Sequence, residues 1–214
     1  MTDKGEPRTP PPDFTERDIQ IFRDIYDCDG LTSRQISALH YPLDALPEER
    51  AFPIDQTHSN CQKRLLQLFE HGYLERSEQP IPRGRGTKEN IHHLSKKGVE
   101  KLAQWLNVPL ADLPYHARKR TLSGDFLDHL VHRNNVRVSL ILAATRQGAR
   151  FLAWQTERYF KRQPLLVASQ RAGQDGEEKK EAKLEPDDYF LLHTNGDEPH
   201  DYHRFLEIDR GTET

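Results

Sequence analysis

The chain has little cysteine, only Cys28 and Cys61 in 214 residues, at a spacing that matches no zinc or redox motif. That leaves both thiols as small apolar side chains near helices rather than as ligands or bridges. No apolar run approaches the ~20 residues needed to span a bilayer, so no membrane partner is expected. The N-terminus, Met1 to Pro12, is polar and proline-rich and lacks the hydrophobic core of a signal peptide. It reads as a disordered tail on a cytoplasmic protein. A charge excess is missing too: the net charge is −3, with 30% charged and 35% hydrophobic residues. That total alone argues against indiscriminate nucleic-acid binding.

The distribution of charge says more than its sum. Residues 1–120 balance acidic against basic side chains, yet between Arg83 and Lys97 the five cations Arg83, Arg85, Lys88, Lys96 and Lys97 face only Glu89. A chain of this length holds one large domain or two small ones, and the patterning divides it in two. In residues 14–27, Phe14, Ile19, Phe22 and Ile25 lie near a helical stripe, with Thr15 as N-cap and Asp18 as capping-box acid. Thr32 opens a second helix carrying Ile36 and Leu39, stopped by Pro42. A long proline-containing loop, 42–56, precedes a third helix from His58 to His71, capped by Gly72. The period then shifts: YLER and IHHL read as strands around the loop PIPRGRGTKEN, and SKKGVEKLAQWL closes the unit as a helix.

The expected fold class is therefore α+β. Residues 13–107 form a winged-helix DNA-binding domain after the tail 1–12. Residues 108–123 are a linker with a basic cluster, Arg118-Lys119-Arg120, and 124–214 form a second, α/β domain of a long helix and three strands. A polar, charge-rich insertion at 161–185 is expected to be mobile.

In a helix-turn-helix unit the third helix enters the major groove. Here it would present His58, Ser59, Gln62, Lys63 and Gln67, where Gln suits adenine, Lys suits guanine and Ser reads either. The competing reading is an ordinary solvated helix face. Arg83-Gly84-Arg85-Gly86, with Lys88, would contact phosphate or a narrow minor groove from the wing tip, helped by Lys96 and Lys97.

In the second half, Glu157 ends the first strand, Asp187 follows Pro186 at the mouth of the second, and Glu207 and Asp209 lie two apart on the third, hence on one face. This order resembles the PD-(D/E)xK nuclease core, in which clustered carboxylates hold a divalent metal. Glu157, Asp187, Glu207 and Asp209 are the catalytic candidates, and Asp187, Glu207 and Asp209 the ligands for Mg2+ or Mn2+. The core's lysine is replaced by Asp209, and an acid cannot neutralise developing negative charge. The competing reading is solubilising acids at a sheet edge, or a relic site.

TERDIQIFRDIY, RLLQLFEHGYLER followed by HHLSKKG, DHLVHRNNVRVSL, WQTE and FLEIDRGTET together resemble the replication-relaxation family of plasmids and integrated mobile elements. The resemblance implies a winged helix joined to a nuclease-like domain, with a role in plasmid replication, DNA relaxation or mobilisation. It carries the acids onto Glu157, Asp187, Glu207 and Asp209, and His129 and Asn134 match its long-helix motif. The family normally continues past the EIDRGT strand, so the second domain is expected to be truncated and completed by a second chain.

The leading expectation is a DNA-binding accessory factor whose partners are double-stranded DNA and relaxase or replication proteins. The alternatives are a metal-dependent nuclease and a winged-helix transcription regulator acting as a homodimer.

Overall fold

The computed structural model describes residues 7–41, 57–79, 89–113, 115, 123–171, 178–195 and 199–209. It is a mixed helix-and-sheet protein of two compact units, 1–140 and 141–214. The linker expected at 108–123 is not the division. The boundary falls inside a helix, because that helix's first turns pack on the first unit.

In the first unit, α1 (Glu16–Asp27) starts where Asp18 accepts from the Thr15 amide at 2.7 Å and from Thr15 Oγ1 at 2.8 Å. A short strand, β1 (Leu31–Thr32), precedes α2 (Ser33–His40); the expected pattern had no strand there. Thr32 and Gln35 cap α2 reciprocally, Gln35 Oε1 accepting from the Thr32 amide at 2.8 Å. α3 (Ser59–Glu70) leads into β2 (Leu74–Ser77), β3 (Ile91–Leu94) and α4 (Lys96–Leu106). The strands form one antiparallel sheet in the order β1-β3-β2, with Leu74 opposite Leu94 and Leu31 opposite His92.

Ile21, Phe22, Ile25, Leu31, Ile36, Leu65, Leu68, Leu74 and Leu102 pack as one buried core, each worth about 1.5–3 kcal/mol of burial. Phe14 closes its edge, meeting the Tyr73 and Trp105 rings edge-on at 5.0 and 4.9 Å. The polar tail is partly ordered: residues 8–10 bond to α3. The first part of the expected linker also packs down. Residues Leu110–Asp112 form a 3-10 turn, and Leu113 and Tyr115 rest on the core.

The long helix α5 (Gly124–Arg146) crosses the division. On the first unit it presents polar side chains to the turn after α1. Arg133 Nη2 donates to the Cys28 carbonyl at 3.2 Å, and Arg137 Nη1 to that of Asp27 at 3.3 Å. Asn134 Nδ2 reaches the carbonyls of Cys28 at 3.2 Å and Gly30 at 2.7 Å. A helix C-terminus leaves carbonyls unsatisfied and carries partial negative charge, so amide and guanidinium donors fit there. Gln35 completes the clasp, donating to the Val131 carbonyl at 3.1 Å and to Asn135 Oδ1 at 2.8 Å.

In the second unit, β4 (Arg150–Thr156), β7 (Asp188–Thr194) and β8 (His200–Leu206) form an antiparallel sheet in the order β4-β7-β8. Between β4 and β7 lie α6 (Glu157–Arg162) and a hairpin of β5 (Leu165–Arg171) with β6 (Glu178–Leu184). The segment expected to be a mobile insertion thus carries regular secondary structure, since its two ends pair with each other in antiparallel register from Leu165 opposite Leu184 to Arg171 opposite Glu178. Trp154 stacks on Phe190 at 4.9 Å, and Phe151 meets both rings. Phe160 of α6 is buried.

Candidate nucleic-acid interface

The face of α3 away from the core is set by burial of Cys61, Leu65 and Leu68. Opposite them Ser59, Asn60, Gln62, Lys63 and Leu66 are exposed. Three of the anticipated base readers, Ser59, Gln62 and Lys63, therefore share an open face. Asn60 and Leu66 join them, and a 40%-exposed leucine in mid-helix is the kind of side chain that packs on a thymine methyl. Neither was anticipated: Leu66 reads as a core residue beside Leu65 and Leu68, and the burial of Cys61 that turns Asn60 outward is settled only by the fold.

The other two anticipated readers are engaged within the fold. His58 is the α3 N-cap: its Nδ1 accepts from the Asn60 amide at 3.2 Å, its ring stacks on Tyr41, and its own amide donates to Ser37 Oγ at 2.9 Å. Gln67 Oε1 accepts from Arg64 at 2.6 Å, and its Nε2 donates to the Pro10 carbonyl at 2.8 Å. His58 positions the helix start, and Gln67 holds the N-terminal segment.

Of the basic cluster, Arg83, Arg85 and Lys88 lie outside the described residues, as do Arg118, Lys119 and Arg120. Lys96 is exposed beside Glu100, 3.9 Å away. Lys97 donates to the His71 carbonyl at 3.0 Å and lies over the Tyr73 ring, closing the C-terminal end of α3. Glu89 sits at the foot of β3, 3.4 Å from Arg34 of α2. Burial pushes its carboxyl above the usual carboxylate range, against the pull of Arg34 and hydrogen bonds from Thr32 and Thr57. The single acid of the basic stretch thus ties the sheet to the starts of α2 and α3.

The acids of the second unit gather at one end of its sheet. Thr156, Asp188 and Leu206 are the last register partners across β4-β7-β8, and Glu157, Asp187 and Glu207 are the residues next in the chain beyond that end of the sheet. Glu157 does not end the strand; it begins α6 and pairs with Lys161 at 2.5 Å. Asp187 is buried. Its carbonyl accepts from the Glu157 amide at 2.6 Å and its carboxylate from the Ile208 amide at 2.7 Å.

Glu207 and Asp209 were expected two apart on the third strand, but β8 ends at Leu206 and both are exposed beyond it. The Asp187–Ile208 bond draws the chain off the sheet there. Asp188, fully buried at the start of β7, is not singled out by the sequence, because a Pro-Asp-Asp run does not say that both acids are buried. Among the described residues no group of three or more His, Cys, Asp or Glu side chains is arranged to hold a metal ion. Of the three anticipated metal ligands, Asp187 is buried with one oxygen taken by the Ile208 amide, while Glu207 and Asp209 stand exposed beyond β8, so among the described residues they do not converge as a set that fits Mg2+ or Mn2+.

The first unit thus joins helices to a small antiparallel sheet with the third helix exposed, and the second carries a sheet with acids at one end. Residues 22–214 match the family model described as replication-relaxation, and the chain belongs to that family. No curated protein and no solved structure matches it. No helix among the described residues is long and apolar enough to cross a membrane.

Proposed function

We propose that the protein is a double-stranded-DNA-binding accessory factor of plasmid or mobile-element replication and mobilisation, with residues 1–140 acting as a winged helix. One observation carries the reading: α3 offers an open face of Ser59, Asn60, Gln62, Lys63 and Leu66 beside the antiparallel β2–β3 pair. The connection between those strands contains Arg83, Arg85 and Lys88. A helix of that kind in the major groove, with a basic loop on the flanking backbone, is how such units dock. Membership of a replication-related family supplies the setting, and relaxase or replication proteins are the partners that setting suggests.

The test is fluorescence anisotropy with labelled duplexes over a salt series, with and without Mg2+ or Mn2+, the products being run on a denaturing gel. Salt-dependent binding with intact DNA is expected. Absence of binding at low salt would overturn the proposal. Metal-dependent cleavage that disappears in Asp187→Ala would replace it with a nuclease.

A further inference from the structure

The N-terminal segment is bonded to α3 by its backbone. Glu70 Oε2 accepts from the amides of Arg8 at 3.1 Å and Thr9 at 2.9 Å. His71 Nε2 stands 2.9 Å from the Thr9 carbonyl, Gln67 Nε2 donates to the Pro10 carbonyl at 2.8 Å, and Arg64 Nη2 donates to the Asp13 carbonyl at 2.8 Å. Four α3-side residues thus hold the main chain of 8–13, which includes Pro10, Pro11 and Pro12. Prolines restrict the backbone in advance, so fixing the segment costs less conformational entropy than it would for a flexible one.

Glu70 is the reason this attachment matters to the open face. Ser59, Lys63, Leu66 and Glu70 recur at spacings of four, three and four, which places them on one stripe of α3. A carboxylate on a stripe that faces DNA would repel phosphate. Here one of its oxygens is occupied by two amides of the arm, and the arm carries an exposed arginine beside it. Among the described residues the Arg8 guanidinium makes no ion pair.

We propose that residues 8–13 are a DNA-contacting arm, in which Arg8, held next to Glu70, binds the phosphate backbone flanking the groove that α3 enters. The proposal rests on the DNA-binding reading above and adds a contact to it. An arm anchored through its own main chain keeps its charged side chain in reach of the duplex without ordering it afresh on binding.

Arg8→Ala should be titrated against a labelled duplex at several salt concentrations, in the natural background and in Glu70→Ala, where the anchor is gone. Arg8 is exposed and Glu70 ends its helix, so both variants retain the core. In the natural background Arg8→Ala is expected to weaken every duplex by about three- to tenfold and to lower the salt slope by about one. In the Glu70→Ala background the same change is expected to cost little. Equal losses in the two backgrounds, no loss in either, or a gain in affinity would overturn the arm. If the unaltered protein binds no duplex at all, the DNA reading itself has failed; if it binds and Arg8→Ala is silent, only the arm has.

Discussion

Arg64 of α3 and Asp18 of α1 meet in a two-point ion pair, Nε to Oδ1 at 2.8 Å and Nη2 to Oδ2 at 2.7 Å. The same carboxylate caps α1 through Thr15, so one side chain both starts the first helix and hangs the third helix on it. Burial alone would raise the Asp18 carboxyl, but Arg64 and the Thr15 hydrogen bonds outweigh it and hold it below the usual range.

Asp18→Ala removes that carboxylate and strands a largely covered guanidinium. The expected loss of stability is about 3 kcal/mol, read as a lower urea midpoint with an unchanged slope. A loss under about 0.5 kcal/mol would show the pair to be ornamental, in the manner of most exposed ion pairs. Because the folded-state value is depressed, the contribution is present above the ordinary carboxylate range and is lost as pH falls through the lowered one.

His92 gives a second acid-sensitive element with its own window. Burial, helped by Arg76, pushes its imidazole down to about 3, and its Nε2 lies 2.9 Å from Ser33 Oγ. As pH falls below about 6.5 the unfolded chain takes up a proton that the folded chain refuses. Stability should therefore drop with a slope of up to about 1.4 kcal/mol per pH unit, down to the depressed value. His92→Gln should abolish that part of the slope between pH 6 and 4, approximately, when urea midpoints are compared across pH. Identical slopes in the two proteins would refute the assignment.

Gly98 sits in the first turn of α4, where a Cβ would overlap the Tyr73 carbonyl oxygen. Backbone on backbone cannot yield by a rotamer change. Gly98→Ala should accordingly cost about 2 kcal/mol, although alanine favours a helix by about 1 kcal/mol over glycine. Thermal unfolding decides it, and a rise in Tm would mean that the Tyr73 turn relaxes freely.

On the open face, Gln62→Ala and Lys63→Ala should differ in kind. Lys63→Ala is expected to lower the salt slope by about one and to weaken every duplex. Gln62→Ala is expected to change the order of preference among duplexes, by about 1–3 kcal/mol at one base position. If Gln62→Ala weakens all sequences equally, α3 contacts backbone and does not read bases.

Much of the first unit was legible from periodicity and caps. Thr15 with Asp18, Thr32 and Gly72 each mark a helix boundary by chemistry local to the chain, and that is what a sequence displays. The sites that misled are those where a distant partner decides. Gln67 looks like a base reader until the Pro10 carbonyl is placed beside it, and His58 until Tyr41 and Ser37 are. Glu207 and Asp209 read as strand residues because the bond from Ile208 to Asp187 spans twenty-one positions. Asn134 stands out in the sequence only through its match to the family's long-helix motif; its partners are carbonyls more than a hundred residues earlier, which no local pattern reveals.

The clasp of Arg133, Asn134 and Arg137 on the end of α1 also decides where the protein can be cut. A fragment ending at the close of α4 would contain every helix and strand of the small sheet and its surroundings. It would nonetheless bare the carbonyls of Asp27, Cys28 and Gly30, and Gln35 would lose both acceptors. The smallest excisable piece therefore runs through the middle of α5, and a boundary drawn at the linker would yield a domain with its keystone left on the other side.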